Sequence, residues 1–187
     1  MRVGVLALQG DFREHEALIR ELGHAAVKVR TEQDLEGISA LVIPGGESTA
    51  ISNLAKSFGM LEPIRRLIAA GLPVLGTCAG LIMLSDEVEG AIKGQEFCGG
   101  LPIKVSRNAY GGQTHSFEAA VDIAGARETV AFIRAPKILD SKATEIVATL
   151  DGEPVAVRAG NIWGASFHPE ITGAKTLHTL FLESIKG

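Results

Sequence analysis

The chain is poor in cysteine, with only Cys78 and Cys98 in 187 residues. Two thiols in different local contexts make no disulfide framework, and the simplest setting for them is a reducing, cytoplasmic compartment. Basic residues are not in excess: 18 Lys and Arg stand against 22 Asp and Glu, a formal charge of −4. A nucleic-acid binder would carry a basic stripe, so a small metabolite or a protein partner fits better. No apolar run approaches the roughly 18 residues that suggest a membrane span. The run from Met1 to Leu8 is too short for a signal peptide, and charged residues follow it at once. Internal repeats, low-complexity tracts and linkers are also lacking. What remains is an ordinary globular composition, 46% hydrophobic and 21% charged, read as one domain over residues 1–187. A chain of this length buries a core without help from a disulfide or a metal.

Apolar runs alternate with amphipathic segments. Val3 to Leu8, Ala25 to Val29, Ile38 to Ile43 and Pro73 to Gly76 read as buried strands. Phe12 to Leu22, a segment starting near Ser48, Leu61 to Ala70 and Ala79 to Leu84 read as helices. Strands apolar throughout, alternating with helices, predict an α/β fold whose mostly parallel sheet is covered on both faces. From about Lys93 to Val157 the chain is β-rich, with a hairpin signal at Asp151-Gly152. Asn161 to Phe167 is a last strand and Ala174 to Ile185 a last helix.

Sites in open α/β sheets lie beyond the carboxyl ends of the strands. Three segments meet that description. In Gly76-Thr77-Cys78-Ala79-Gly80, a cysteine with glycine two residues away on each side matches a nucleophile elbow with sulfur in place of oxygen. Side chains at the two glycines would strike neighbouring backbone in so sharp a turn, and the helix start behind the sulfur favours the reactive thiolate. A buried structural cysteine is the plain alternative; it suits Cys98, which has no elbow. In His168-Pro169-Glu170, proline biases His168 toward extended backbone, and residues two apart in an extended chain share a side. Glu170 can then orient the imidazole, giving a Cys78, His168, Glu170 triad. His15, His24 and His178 read as solvated, and His115 stays open. No two histidines make a metal pair, so neither metal nor cofactor is expected.

The third segment is Ile43-Pro44-Gly45-Gly46-Glu47-Ser48-Thr49. A tetrahedral oxyanion needs fixed N–H donors, and the backbone amides of Gly46 and of Ala79, the residue after the nucleophile, are best placed. Ser48 or Thr49 could also cap the following helix.

Together these segments resemble the class I, triad-type glutamine amidotransferases. Leu6-Ala7-Leu8-Gln9-Gly10, Pro44 to Thr49, Gly76 to Ile82, Arg107-Asn108-Ala109-Tyr110-Gly111, Ser116-Phe117-Glu118 and Phe132-Ile133-Arg134-Ala135-Pro136 narrow the match. That set is similar to the glutaminase subunits of the pyridoxal 5′-phosphate synthases, over nearly the whole chain. The resemblance implies a flavodoxin-like three-layer sandwich with an added β-rich segment. It implies L-glutamine contacts at Gly46, Glu47, Ser48, Arg107, Ile133 and Arg134. It also implies a hetero-oligomer with a (β/α)₈-barrel synthase subunit that receives the ammonia, and activation when that partner reorganises the oxyanion loop. Gly112 departs from the family pattern, where a basic residue is common. The rival readings are the glutaminase of another synthase, such as that of histidine biosynthesis, a regulatory module with a dead triad, and a cysteine-dependent stress or peptidase-like protein. The loop from Arg107 to Gly111 speaks against the first, the complete triad against the second, and the pairing of the elbow with a distant His-Pro-Glu against the third.

Overall fold

A computed structural model of the chain describes residues 1–107 and 116–185. In chain order the elements are β1 (Arg2–Leu6), α1 (Phe12–Glu21), β2 (Ala25–Val29), a 3₁₀ turn (Glu32–Leu35), β3 (Ala40–Ile43), α2 (Ser48–Ser57), α3 (Leu61–Ala69), β4 (Val74–Thr77) and α4 (Ala79–Leu84). There follow β5 (Ser85–Glu89), β6 (Leu101–Ser106), β7 (Ser116–Ile123), β8 (Ala126–Ile133), β9 (Lys137–Asp140), β10 (Glu145–Leu150), β11 (Glu153–Ala159) and β12 (Ile162–Ala165). Two helices close the chain, α5 (Pro169–Thr172) and α6 (Thr176–Ser184).

The main sheet has nine strands in the order β2-β1-β3-β4-β12-β11-β10-β7-β8. Its first five are parallel, and their order is the flavodoxin-like arrangement, with the switch point between β1 and β3. From β12 onward every pairing is antiparallel. A second sheet pairs β5, β6 and β9. Strands β6, β8 and β9 fall in the stretch expected to be β-rich without having been delimited there, and β5 had no counterpart among the expected elements.

Alternation along the parallel strands separates two cores. Val3 and Val5 of β1, Ala40 and Val42 of β3, and Leu75 of β4 pack with Ile19, Leu177 and Phe181 under α1 and α6. Leu6, Leu41, Ile43 and Val74 pack on the other face with Ile51, Ile64 and Leu81 of α2, α3 and α4. Both faces of these strands are therefore buried, which explains their uninterrupted apolar runs. The polar groups that remain are carried to the carboxyl ends of β1, β3, β4 and β12, where the chain must leave the sheet.

Candidate active site

Cys78 sits between β4 and α4 with φ +48° and ψ −103°, a strained conformation for a residue with a side chain. The flanking glycines have the steric task expected of them. A Cβ on Gly76 would lie 2.5 Å from the carbonyl of Gly80, and one on Gly80 would lie 2.0 Å from the carbonyl oxygen of Ile43. The elbow thus forms because α4 leaves β4 in contact with the end of β3. Cys78 is 4% exposed, and its thiol donates to the Ile133 carbonyl at 3.7 Å.

His168 and Glu170 follow β12. The His168 amide donates to the Ala131 carbonyl at 2.8 Å, pinning this segment to β8. His168 Nδ1 lies 2.8 Å from Glu170 Oε1. The route to that contact differs from the expectation: the backbone is not extended through Glu170. His168 is the residue before α5, Pro169 is its first residue and Glu170 its second. Proline is at home at that position, and its fixed φ starts the turn that swings the carboxylate back to the ring. His168 Nδ1 is also 3.4 Å from Asp11 Oδ2, at the end of β1. The imidazole lies directly over Gly45, where a Cβ would come within 2.2 Å of Cε1.

Burial alone would lower the basicity of His168. Hydrogen bonds to Asp11, Cys78 and Glu170, with the electrostatic pull of Cys78, overcome it and push the pKa up to about 12. For Glu170 burial also acts against the charged form, but the nearness of His15 and the hydrogen bond from His168 hold the carboxyl well below the usual range. The ring and the carboxylate therefore form an ion pair, with the Cys78 sulfur near enough to favour the charged ring. Asp11, His168 and Glu170 each bring one donor atom within 4.8 Å of the others. A cation there would compete for the Nδ1 that Glu170 already engages.

A cavity of about 300 Å³ opens beside the sulfur, lined by Gly46, Glu47, Ser48, Cys78, Ala79, Ile82, Arg107 and Arg134. Ile133, expected at the substrate, is absent from that lining; its carbonyl accepts from the Cys78 thiol instead. Ala79 is the first residue of α4, so its N–H has no intrahelical acceptor. Gly46 has φ +150°, and a Cβ there would lie 2.4 Å from Gln9 Oε1. Gln9 in turn accepts from the Glu47 amide at 2.8 Å, tying the end of β1 to the glycine loop. A larger open groove, about 540 Å³, lies between the 3₁₀ turn and α3 and holds no nucleophile.

Neither Ser48 nor Thr49 caps α2. Glu47 does, accepting from the Thr49 and Ala50 amides at 2.9 and 2.8 Å. Burial works against the charge of Glu47, yet these bonds and Arg107 lower its pKa overall. Arg107 donates to Glu47 at 3.1 Å, Thr49 Oγ1 at 3.0 Å and Gln95 Oε1 at 2.7 Å, while Gln95 donates to Ser48 Oγ at 3.2 Å. Gln95 was not foreseen; nothing in its sequence neighbourhood marks it. Arg134 is exposed with φ +47°. Asn108, Ala109, Tyr110, Gly111, Gly112 and His115 lie outside the described residues.

Two histidines correct the sequence reading. His15 and His178 are not solvated; both are fully buried and hydrogen-bonded to each other at 2.9 Å. His15 lies among the charged residues Arg13, Glu14 and Glu16 of α1, so its local pattern is that of an exposed helix face. Its partners lie far along the chain, beyond the reach of local pattern. His24 is half-buried, 3.3 Å from the N-terminal ammonium. Both cysteines are free, and burial pushes the Cys98 thiol up to about 12 against the opposing charge of Arg65, which leaves it unreactive.

The sequence profile of the SNO glutamine amidotransferase family matches residues 5–187. A pyridoxal 5′-phosphate synthase subunit PdxT from Clavibacter sepedonicus is 52% identical, the alignment covering 98% of this chain and 90% of that protein. The protein of the same name from Leifsonia xyli subsp. xyli is 48% identical, covering 100% and 96%. A crystal structure described as a glutamine amidotransferase superposes with a TM-score of 0.92 at 43% identity, covering 99% of each chain.

Proposed function

The chain belongs to the SNO glutamine amidotransferase family, and from that membership we propose that it hydrolyses L-glutamine through Cys78 and hands the ammonia to a pyridoxal 5′-phosphate synthase subunit. The observation that carries the reading is the meeting of three strand ends. A strained cysteine after β4 lies within electrostatic reach of a histidine after β12, whose Nδ1 is held by Glu170 at 2.8 Å.

The chemistry follows from that order of contacts. With Nδ1 committed to Glu170, Nε2 of His168 is left for the sulfur. The Cys78 thiolate attacks the carboxamide carbon of glutamine, forming the S–C bond while the carbonyl π-electrons move to oxygen. The backbone amides of Gly46 and Ala79 receive that oxyanion. As it collapses the C–N bond breaks, and imidazolium at His168 gives its proton to the departing ammonia. Water, deprotonated by His168, then cleaves the γ-glutamyl thioester to glutamate and restores the thiol. Glu170 keeps the tautomer and direction of the ring through both steps. At the far end of the cavity, Arg107 and Arg134 supply positive charge for the α-carboxylate of glutamine, and Glu47 negative charge for its α-ammonium. Ser48 completes the lining, and the Ile133 carbonyl holds the resting thiol.

Ammonia released into bulk water would be protonated and lose its nucleophilicity, so a closed path to an acceptor is required. We assign the acceptor to a (β/α)₈-barrel synthase subunit in a hetero-oligomer located in the cytoplasm, with residues 1–187 acting as one glutaminase unit. The loop at Gly45-Gly46 is where such a partner would act. Gly46 adopts backbone that few other residues tolerate, and a peptide flip there re-aims an oxyanion donor. Glutamate release should rise when the synthase subunit is mixed with the wild-type chain and vanish in Cys78→Ala. Equal turnover with and without the synthase would refute the activation, and turnover by Cys78→Ala would refute the mechanism.

A further inference from the structure

Behind the triad lie two histidines that its chemistry does not use. His15 on α1 and His178 on α6 are both 0% exposed. His15 Nδ1 and His178 Nε2 are 2.9 Å apart. The other nitrogen, His15 Nε2, is 3.0 Å from Thr77 Oγ1 and 3.3 Å from Glu170 Oε2. One imidazole thus touches the residue before the nucleophile, the carboxylate that orients the base, and the last helix.

Packing alone does not account for this. An aliphatic side chain would fill the same space without desolvating two polar nitrogens. The carboxylate supplies the reason. Glu170 spends Oε1 on His168, and Oε2 is buried without a hydrogen-bond partner among the described residues. The polar contact Oε2 does have is His15 Nε2. A carboxylate held at one oxygen can swing about its last torsion; one held at both cannot.

The tautomers are consistent with such a hold. Burial pushes the His178 pKa down to about 3, so this ring is neutral and carries one N–H. When His178 Nε2–H donates to His15 Nδ1, the proton of His15 stands on Nε2, which meets Thr77 Oγ1 at 3.0 Å with Glu170 Oε2 3.3 Å away. That arrangement leaves His178 Nδ1 as a bare acceptor, and it is indeed without a partner among the described residues. An unmatched acceptor is the less costly of the two outcomes, since orphaned buried N–H groups are the rarer kind.

We infer that His15 is a positioning residue of the reaction: its Nε2–H and the Nδ1–H of His168 hold the Glu170 carboxylate from both sides, and His178 sets the tautomer of His15 that makes this possible. The inference rests on the glutaminase reading above. His15 does not line the cavity, so it acts on turnover through Glu170 and His168 rather than on substrate binding. The titratable groups facing this cluster are Asp11 after β1, Cys78 after β4, His168 and Glu170 around α5, and His178 on α6.

Glutamate release by the chain assembled with its synthase subunit tests this, with His15→Leu, His15→Gln and Cys78→Ala compared across pH. His15→Leu should lose about ten- to a hundredfold in kcat, the range seen for groups that orient a reacting side chain, with KM held within about twofold. The acid limb of its kcat/KM profile should move to higher pH, because Glu170 loses a partner that favours its charged form. His15→Gln, whose amide can offer an N–H near the place of Nε2, should recover most of the loss. A folded His15→Leu with wild-type kcat and profile, beside an inactive Cys78→Ala, would overturn the role of His15 and leave the glutaminase reading standing. A loss confined to KM would likewise overturn it, whereas activity in Cys78→Ala would overturn the glutaminase reading itself. Should His15→Leu fail to fold, the imidazole nitrogen resonances of the wild-type chain decide. A His15 protonated at Nε2 whose signals move in Glu170→Gln supports the inference; one protonated at Nδ1 and indifferent to Glu170→Gln overturns it.

Discussion

At one corner of the cavity Cys78, His168 and Glu170 are 4%, 3% and 8% exposed, and the backbone around them is locked by contacts that admit no side chain. At the opposite corner Glu47 and Arg107 are half-buried, Arg134 is exposed, and the contacts are pairings between long side chains. The first corner is made of strand ends packed on one another, the second of loops and helix caps. The difference separates two tasks. The reacting groups need one geometry and a dry setting in which charge interactions are strong. On the proposed function, the groups that would receive a zwitterionic substrate exchange their internal partners for it, and they are held by bonds that can be traded.

The contrast can be broken first at the sulfur. Cys78→Ala should lower kcat by on the order of 10⁴-fold or more while the folded chain and its thermal transition persist. A loss of only a few-fold would mean that the buried corner does not do the chemistry. Next in size, Gly80→Ala should destabilise the chain by about 3 kcal/mol in chemical denaturation, because its Cβ would lie 2.0 Å from the Ile43 carbonyl oxygen. Gly90→Ala, where nothing is within 4 Å but φ is +80°, should cost only about 1 kcal/mol. Equal costs would show that the elbow is not sterically locked.

Stability against pH sharpens the same comparison, since its signature comes from the buried corner. His178 titrates near 6.5 when unfolded and near 3 when folded, so the unfolded chain binds the extra proton and stability falls as pH drops below 6.5. Glu170, with its folded pKa lowered from 4.5, adds a second loss on further acidification. His168 has the opposite sign: its stabilisation is complete below 6.5 and declines as pH rises toward 12. Denaturant midpoints should therefore fall on both sides of an optimum near neutrality. His178→Gln should flatten the segment between 6.5 and 4.5; an unchanged slope there would show that His178 is not held neutral. The smallest effect belongs to the tradeable corner. Arg107→Lys keeps the charge but loses the fork that spans Glu47, Thr49 and Gln95, and should raise KM by about tenfold with little change in kcat. An equal fall in kcat would join the two corners into one unit.

The two corners also differed in what could be read from the sequence. The elbow at Cys78 and the His168-Pro169-Glu170 turn are local signals, because each places its key residues within a few positions of a strand end. The parallel half of the sheet was legible for the same reason: strands buried on both faces show as apolar runs. Long-range pairings were not legible. His15 meets His178 across 163 residues of chain, and charged neighbours on α1 disguised it as a surface residue. Gln95 reaches Ser48 and Arg107 from a loop without a motif. Glu47 was expected to touch substrate but is also the cap of α2, a task that Ser48 and Thr49 by their types alone had suggested for themselves. Strands β5 and β9 of the small sheet, and β8 at the edge of the large one, are half-exposed and lack the continuous apolar runs that betrayed the others.

The central claim is that the sulfur of Cys78 becomes covalently bonded to the substrate. Acid quenching of the chain during turnover with its synthase subunit and glutamine, followed by peptide mass analysis, tests it most directly. A γ-glutamyl group on the peptide bearing Cys78, absent when glutamine is omitted, is the predicted result. Steady glutamate production by Cys78→Ala, or the same group found only on Cys98, would contradict the account.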